Sequence, residues 1–339
     1  MSERVQPLTD LGIATLSEVL DPNALAKHLR GIAQAPWNGA PVEEVQMRVL
    51  KHYLGRRCTL QIGIRTGKGW RSLIGKVYRK DRSHVFQAMG RIQQAGFGPQ
   101  EEFSIPEPVA YLSPLRLLLQ EEVEGPLAGE IFRTGDEQSR ASAAERCALW
   151  LARFHTLAPK AGEVSSARDD LESESLQRCL GEMAKLGGSF ADKAPKLFQL
   201  LEDECSSLSD VEMRPGHGGY RGTHVILAPG RTVAFDLDTY DMADPARDVA
   251  RFISALRTLA LSRFESIRAM DETADVFLRT YLAAGPPDAK KNLRFFEAAA
   301  CLKRAKHNFR HLVPQWQEKA EAMLDEGLRV LQGEGEHHV

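Results

Sequence analysis

No stretch of this 339-residue chain is apolar over the about 18 residues that a membrane span requires, so no span is expected. Neither sign of charge is in excess: 44 Lys and Arg against 46 Asp and Glu leave a net charge of -2. That balance gives no general pull toward nucleic acid or an anionic membrane. The cysteines (Cys58, Cys147, Cys179, Cys205 and Cys301) are few, dispersed and never spaced Cys-x-x-Cys. This spacing argues against a disulfide framework or a zinc site and for reduced thiols in a cytoplasmic protein. The opening MSERVQPLTDLG has no apolar core of the signal-peptide kind, which points the same way. What remains is ordinary for a globular protein, 43% hydrophobic and 27% charged, and long enough for one large or two modest domains.

Hydrophobic periodicity divides the chain into an α+β pattern. Residues 1–40 hold one short helix over 21–33, opened by Asp21-Pro22, and read as an extension packed on the neighbouring domain. Period-two alternation gives strands over 45–50, 58–64 and 73–78, then a helix over 84–96 that stops at Gly96, then strands over 108–112 and 116–123. After Glu124-Gly125-Pro126 the pattern is helical, over 141–155, 176–208, 245–263, 271–284, 290–312 and 316–331. The polar segment 162–175 reads as a mobile loop, and 333–339 as a frayed tail whose His337-His338 pair is too short for a metal site.

One segment interrupts the helices. From His217 the chain reads HGGYRGTHVILAPGRTVAFDLD, two short apolar strands around Pro229-Gly230 with polar residues at one end of each. Asp244-Pro245 and Asp248 come next, at the head of a helical run.

This layout resembles the aminoglycoside phosphotransferase and choline kinase-like family, whose motif is His-Gly-Asp, an Asn five residues later, and an Asp ending the next strand. His217, Gly218 and Asp236 match; Gly219 stands where that family has its proton-accepting Asp, and His224 where it has a metal-binding Asn. The resemblance implies a two-lobed, protein-kinase-like fold: an antiparallel-sheet lobe over 41–120, a hinge at 121–126 and a helical lobe over 127–332 carrying the hairpin 217–238. It implies ATP and magnesium between the lobes. Lys76 would meet the nucleotide phosphates, Arg56 and Arg57 would lie on the loop covering them, and the backbone at Glu122 and Val123 would meet the adenine. Asp236 and His224 would hold the metal. His217 would be structural, and Asp248 would brace the loop. The helix over 84–96 contains no acid to orient Lys76.

The expected function rests on the exchanged side chains: a phosphotransferase-family protein that binds ATP and magnesium with impaired or absent phosphoryl transfer. Two alternatives stand beside it. One is an active small-molecule kinase with altered machinery; the other is a nucleotide-free interaction scaffold. The second partner is an unknown small-molecule acceptor or a protein. Asp238 comes two residues after Asp236, at strand spacing, which would place both on one side. Lys303, Arg304, Lys306, His307, Arg310 and His311 crowd one late helix, either as a solvated face or toward an anionic acceptor.

Overall fold

Alternation of apolar and polar residues builds the first third of the chain, because strands bury every second side chain. The computed structural model describes residues 10–32 and 40–333; the opening residues, part of the expected extension's end and the expected tail with His337-His338 lie outside these. The chain divides into two compact units, Met1–Glu124 and Gly125–Val339.

In the first unit, β1 (Glu44–Tyr53), β2 (Arg57–Thr66), β3 (Gly69–Tyr78), β4 (Pro108–Leu112) and β5 (Leu117–Glu121) form one antiparallel sheet in the order β1-β2-β3-β5-β4. Cys58, Leu60, Ile62 and Ile64 of β2 face a core closed by two helices that precede the sheet, α1 (Leu16–Val19) and α2 (Pro22–Arg30). Asp21 caps α2 by accepting from the amides of Asn23 and Ala24, and Leu25 and Leu29 drop into that same core. Helix α3 (Ser83–Ile92) buries Val85, Ala88, Met89 and Ile92, one stripe at helical spacing. It ends earlier than the sequence pattern suggests. Gly96 takes a left-handed φ of 98°, and a wide π-turn over Gln93–Phe97 carries Phe97 into the interior.

In the second unit, α4 (Ala128–Thr134) and α5 (Glu137–Leu157) lead into α6 (Ala167–Leu171), α7 (Glu174–Ala184) and α8 (Ser189–Cys205). Gly187 and Gly188, both at positive φ, make the turn that separates α7 from α8. The segment expected to be a mobile loop is instead tied down. Ser166 and Asp169 form a capping box on α6, and the Ser165 amide donates to the Met242 carbonyl at 2.8 Å.

The hairpin is β7 (Val225–Ala228) and β8 (Arg231–Ala234), turned at Pro229-Gly230 with Gly230 at φ 68°. Arg146 of α5 ties its tip, donating to the carbonyls of Ala228 and Arg231 and to the Thr232 hydroxyl. A second short ladder, β6 (Arg214–Gly216) with β9 (Asp241–Ala243), brackets the hairpin in sequence; it is too short to leave a periodic signal. Helices α9 (Ala246–Phe264), α10 (Asp271–Ala284), α11 (Leu293–His311) and α12 (Trp316–Leu331) complete the unit. Buried Arg257 of α9 pairs with Glu297 of α11 (2.9 Å) and Glu326 of α12 (3.1 Å). Among the described residues no helix is long and apolar enough to cross a membrane.

The central strand β3 is packed to a fine tolerance. A Cβ on Gly75 would sit 2.5 Å from Cδ1 of Ile62 and 3.1 Å from Cδ1 of Leu117. Gly75→Ala should therefore lower stability by about 1–3 kcal/mol in urea unfolding. Adding Ile62→Val, which removes the nearest methyl, should recover part of that loss. Equal losses in the single and double variants would show that the crowding is not at Ile62.

Candidate functional site

The loop after β6 is built around one carboxylate. Asp248, in the first turn of α9, is fully buried and accepts from two successive amides, those of His217 (2.6 Å) and Gly218 (3.1 Å). Burial alone would push its carboxyl up. The hydrogen bond from His155 and the charges of Arg247, His155 and Arg251 outweigh that and hold it well below the usual carboxylate range. His155, at the end of α5, spans from Asp248 (3.5 Å) to the Tyr281 hydroxyl (2.7 Å). Arg251, one turn along α9, donates to the Gly218 carbonyl.

Gly218 has to be glycine. Its φ is 76°, and a Cβ there would lie 2.1 Å from the Thr239 carbonyl oxygen. Tyr220 anchors the other side of the loop. Its hydroxyl donates to the Cys147 carbonyl at 2.7 Å, and its ring lies between Trp150 of α5 and Phe252 of α9.

Gly219, between these anchors, is under no such constraint. A Cβ on it would rest 3.6 Å from Thr239 Oγ1 and 3.9 Å from both His217 Nδ1 and His224 Cε1, ordinary contact distances. The buried His217 ring donates from Nε2 to the Phe235 carbonyl at 3.0 Å, which makes its Nδ1 an acceptor without a hydrogen-bond partner, and burial lowers its pKa.

His224 closes a 3-10 turn over Gly222–His224, and its Nε2 accepts from Nε (3.1 Å) and Nη2 (3.0 Å) of Arg221. Burial, with the charges of His217 and Arg221, lowers its pKa to about 3, so the ring is neutral. Asp236 comes two residues after β8, in the left-handed region (φ 71°), with Oδ2 3.7 Å from His224 Nε2. Asp238 does not share its side by strand spacing, because Leu237–Thr239 is a 3-10 turn. His217, Gly219, His224 and Asp236 thus come together in one loop cluster.

The remaining expected residues lie in the first unit. Lys76 is buried in the middle of the sheet, opposite Thr59 and Leu118, rather than at a solvated edge. Glu122 and Val123 come directly after β5, where Glu122 accepts from Gln61 Nε2 at 2.7 Å. Arg56 and Arg57 sit at the β1–β2 turn, with Arg57 over the Tyr53 ring. The Gly55 amide in that turn is already used: it donates to Asp10 Oδ2 at 2.7 Å, and His52 holds the same oxygen at 2.8 Å. Sequence reasoning gave no role to Asp10, His155 or Arg221. Each acts through a partner distant in sequence or through a side-chain pairing that no motif spacing announces.

Of the two expected metal ligands, Asp236 offers the hard oxygen that magnesium takes. His224 does not fit, because the lone pair of its Nε2 faces a guanidinium. The described residues hold no cluster of three or more His, Cys, Asp or Glu suited to a metal ion.

Two buried amides and a buried charge network depend on one side chain, so Asp248→Ala should cost about 3–5 kcal/mol. A carboxyl held below its ordinary value of about 4 contributes stability that is complete above that pH and is lost as pH falls below it. Asp248→Asn should accordingly flatten the acid limb of the stability–pH curve. An acid limb unchanged in Asp248→Asn would place the acid sensitivity elsewhere.

The Phosphotransferase enzyme family model matches residues 64–295, more than half of the chain. A comparison with curated proteins returned no match. Among solved structures, the chain is similar to a choline/ethanolamine kinase family protein from Mesorhizobium loti, at 13% identity and TM-score 0.54, over 90% of this chain and 94% of that one. It is also similar to a glucosamine kinase, at 16% identity and TM-score 0.61, over 91% and 85% of the two chains. A third likeness is to the GDP complex of aminoglycoside 2'-phosphotransferase-IIIa, at 11% identity and TM-score 0.54, over 91% and 99%. At these identities the likeness is one of fold, the two-lobed α+β arrangement of the kinase-like proteins. With the family model covering more than half of the chain, the 217–236 loop included, the chain belongs to the phosphotransferase enzyme family.

Proposed function

We propose that the protein binds ATP, with magnesium on the nucleotide phosphates, and transfers the terminal phosphoryl group slowly or not at all. The observation that carries this reading is the state of position 219. Asp248 and Tyr220 hold the loop on either side of it, and the space beyond its Cα accepts a Cβ, yet the residue is glycine. Glycine cannot accept a proton or orient a hydroxyl, and losing a positioned base lowers a rate by about 10²–10⁴-fold. Lys76, buried on β3, would meet the phosphates as a point charge, and Asp236 would hold the metal. A glucosamine kinase of similar fold was solved with glucosamine, ADP and inorganic phosphate, which supports a nucleotide here. The second ligand is a small molecule or a protein partner, met in the reducing cytoplasm that five unpaired thiols suit.

One observation favours a second reading, an active small-molecule kinase. The Nδ1 lone pair of His217 lies 3.9 Å from where a Cβ of residue 219 would sit. An acceptor hydroxyl entering the space left by the missing carboxylate could donate to it. Positioning and electrostatics supply most of phosphoryl transfer, so such an enzyme could turn over without an Asp.

Calorimetric titration with ATP, with and without magnesium, tests the shared premise. The expected result is magnesium-dependent binding that Lys76→Ala and Asp236→Ala each weaken by about tenfold or more. No binding at millimolar ATP would contradict both readings and leave a scaffold. ATP consumption by the unaltered protein, screened against amino sugars, amino alcohols and sugars, separates the two: sustained turnover favours the active kinase.

A further inference from the structure

The turn between β1 and β2 already carries an anion of the chain's own. Gly55 stands in it with a φ of 65°, a left-handed conformation of the kind that offers a backbone N–H to an anion. The acceptor is Asp10. Its Oδ2 takes the Gly55 amide at 2.7 Å and lies 2.8 Å from His52 Nε2. Its Oδ1 takes the Gly12 amide at 2.8 Å, which closes a tight turn in the arm before α1. The Asp10 side chain is 3% exposed, so this carboxylate sits among the turn's donors rather than in water.

The arm is fitted to the turn. A Cβ on Gly12 would lie 2.4 Å from the Gly55 Cα, so only glycine lets the two backbones meet. Behind Gly12 the arm is fixed to the sheet. Ile13, Leu16 and Val19 are buried in the core of the first unit, and the Thr15 hydroxyl donates to the Leu115 carbonyl at 2.8 Å. The apolar neighbours at the contact contribute little, because Leu11 is 100% exposed and Leu54 77%. The carboxylate, not apolar packing, therefore holds the tip of the arm to the turn, and another anion can compete for its place.

The same turn has the chemistry to receive phosphate. Beside the Gly55 amide and His52 it carries the exposed Arg56, whose carbonyl accepts from the Arg79 amide at 3.0 Å and joins the turn to the end of β3. Lys76 pairs with Thr59, four residues past Gly55, and so lies at this same end of the sheet. One N–H cannot serve two anions, and a carboxylate at the turn repels an approaching phosphate. We propose that Asp10 is an autoinhibitory latch. Its carboxylate occupies the Gly55 amide as an internal stand-in for phosphate and must leave before a polyphosphate ligand takes that amide. The proposal rests on the proposed function in taking a polyphosphate to bind at this end of the sheet.

Amide hydrogen exchange at Gly55 reports the latch itself. Calorimetry of the full-length protein with ATP and with inorganic tripolyphosphate, each with magnesium, reports its effect. Gly55 should exchange about tenfold or more faster in Asp10→Ala than in the parent. Asp10→Ala should bind both ligands about tenfold or more tighter. Gly12→Ala, which keeps the carboxylate but forces the arm off the turn, should move both readouts the same way. Asp10→Asn, near in shape but uncharged, should also tighten both ligands, so the result does not hang on a disturbed fold in Asp10→Ala. Unchanged Gly55 exchange in Asp10→Ala would overturn the latch. Equal or weaker binding of both ligands to the Asp10 variants would also overturn it, weaker binding marking Asp10 as a brace that shapes the turn for phosphate. ATP bound equally by parent and variants would defeat the latch and leave the nucleotide reading standing. Tripolyphosphate bound tighter by Asp10→Ala, with ATP bound by no form, would do the reverse.

Discussion

A single buried carboxylate orders the loop on which the functional reading depends. Asp248 accepts from the amides of two consecutive residues, which fixes their peptide planes, and the left-handed turn at Gly218 results from that constraint. The cost of taking this charge out of water is offset by His155 and by the arginines on its own helix. Those arginines have further duties. Arg247 pairs with Asp241 of the short β6–β9 ladder, and Arg251 holds the Gly218 carbonyl. The two ends of the hairpin segment and the head of α9 are therefore one hydrogen-bonded assembly. Its other wall is aromatic: the Trp150, Tyr220, Phe252 and Phe277 rings stack in succession between α5, α9 and α10.

On this rigid base the chemistry differs from what the family motif implies, and it differs in charge. A motif with Asp at 219 and Asn at 224 would present oxygen and attract cations. Here the positions hold glycine and a neutral imidazole, and the imidazole accepts from a guanidinium. The proton acceptor at 219 and the oxygen ligand at 224 are both absent from this chain.

Much of this architecture is legible in the sequence, for identifiable reasons. The strands of the sheet and the hairpin announce themselves by alternation and by Pro229-Gly230. The site is legible because His217, Gly218 and Asp236 keep their spacing. The bracing role that the resemblance implies for Asp248 is the one its hydrogen bonds show. What the sequence conceals depends on contacts between distant residues. The β6–β9 ladder is three residues long on each side, below the reach of periodicity. Asp238 misleads because Asp236 adopts a left-handed conformation that ends the strand, so spacing by two no longer means one side. The basic residues of α11 look alike in sequence. Only the structure shows that Lys306 and Arg310 take partners on α7.

The central claim is that the loop is intact and that glycine at position 219 is what deprives it of a proton acceptor. Its most direct test is Gly219→Asp, with Gly219→Ala as the control for the added Cβ. Both variants should fold with stability within about 1 kcal/mol of the parent, since a Cβ at this position meets nothing closer than 3.6 Å. The Asp variant alone should gain ATP turnover, by about 10²-fold or more. A large loss of stability in both variants, or an Asp variant that folds, binds ATP and turns over no faster than the Ala control, would contradict the account.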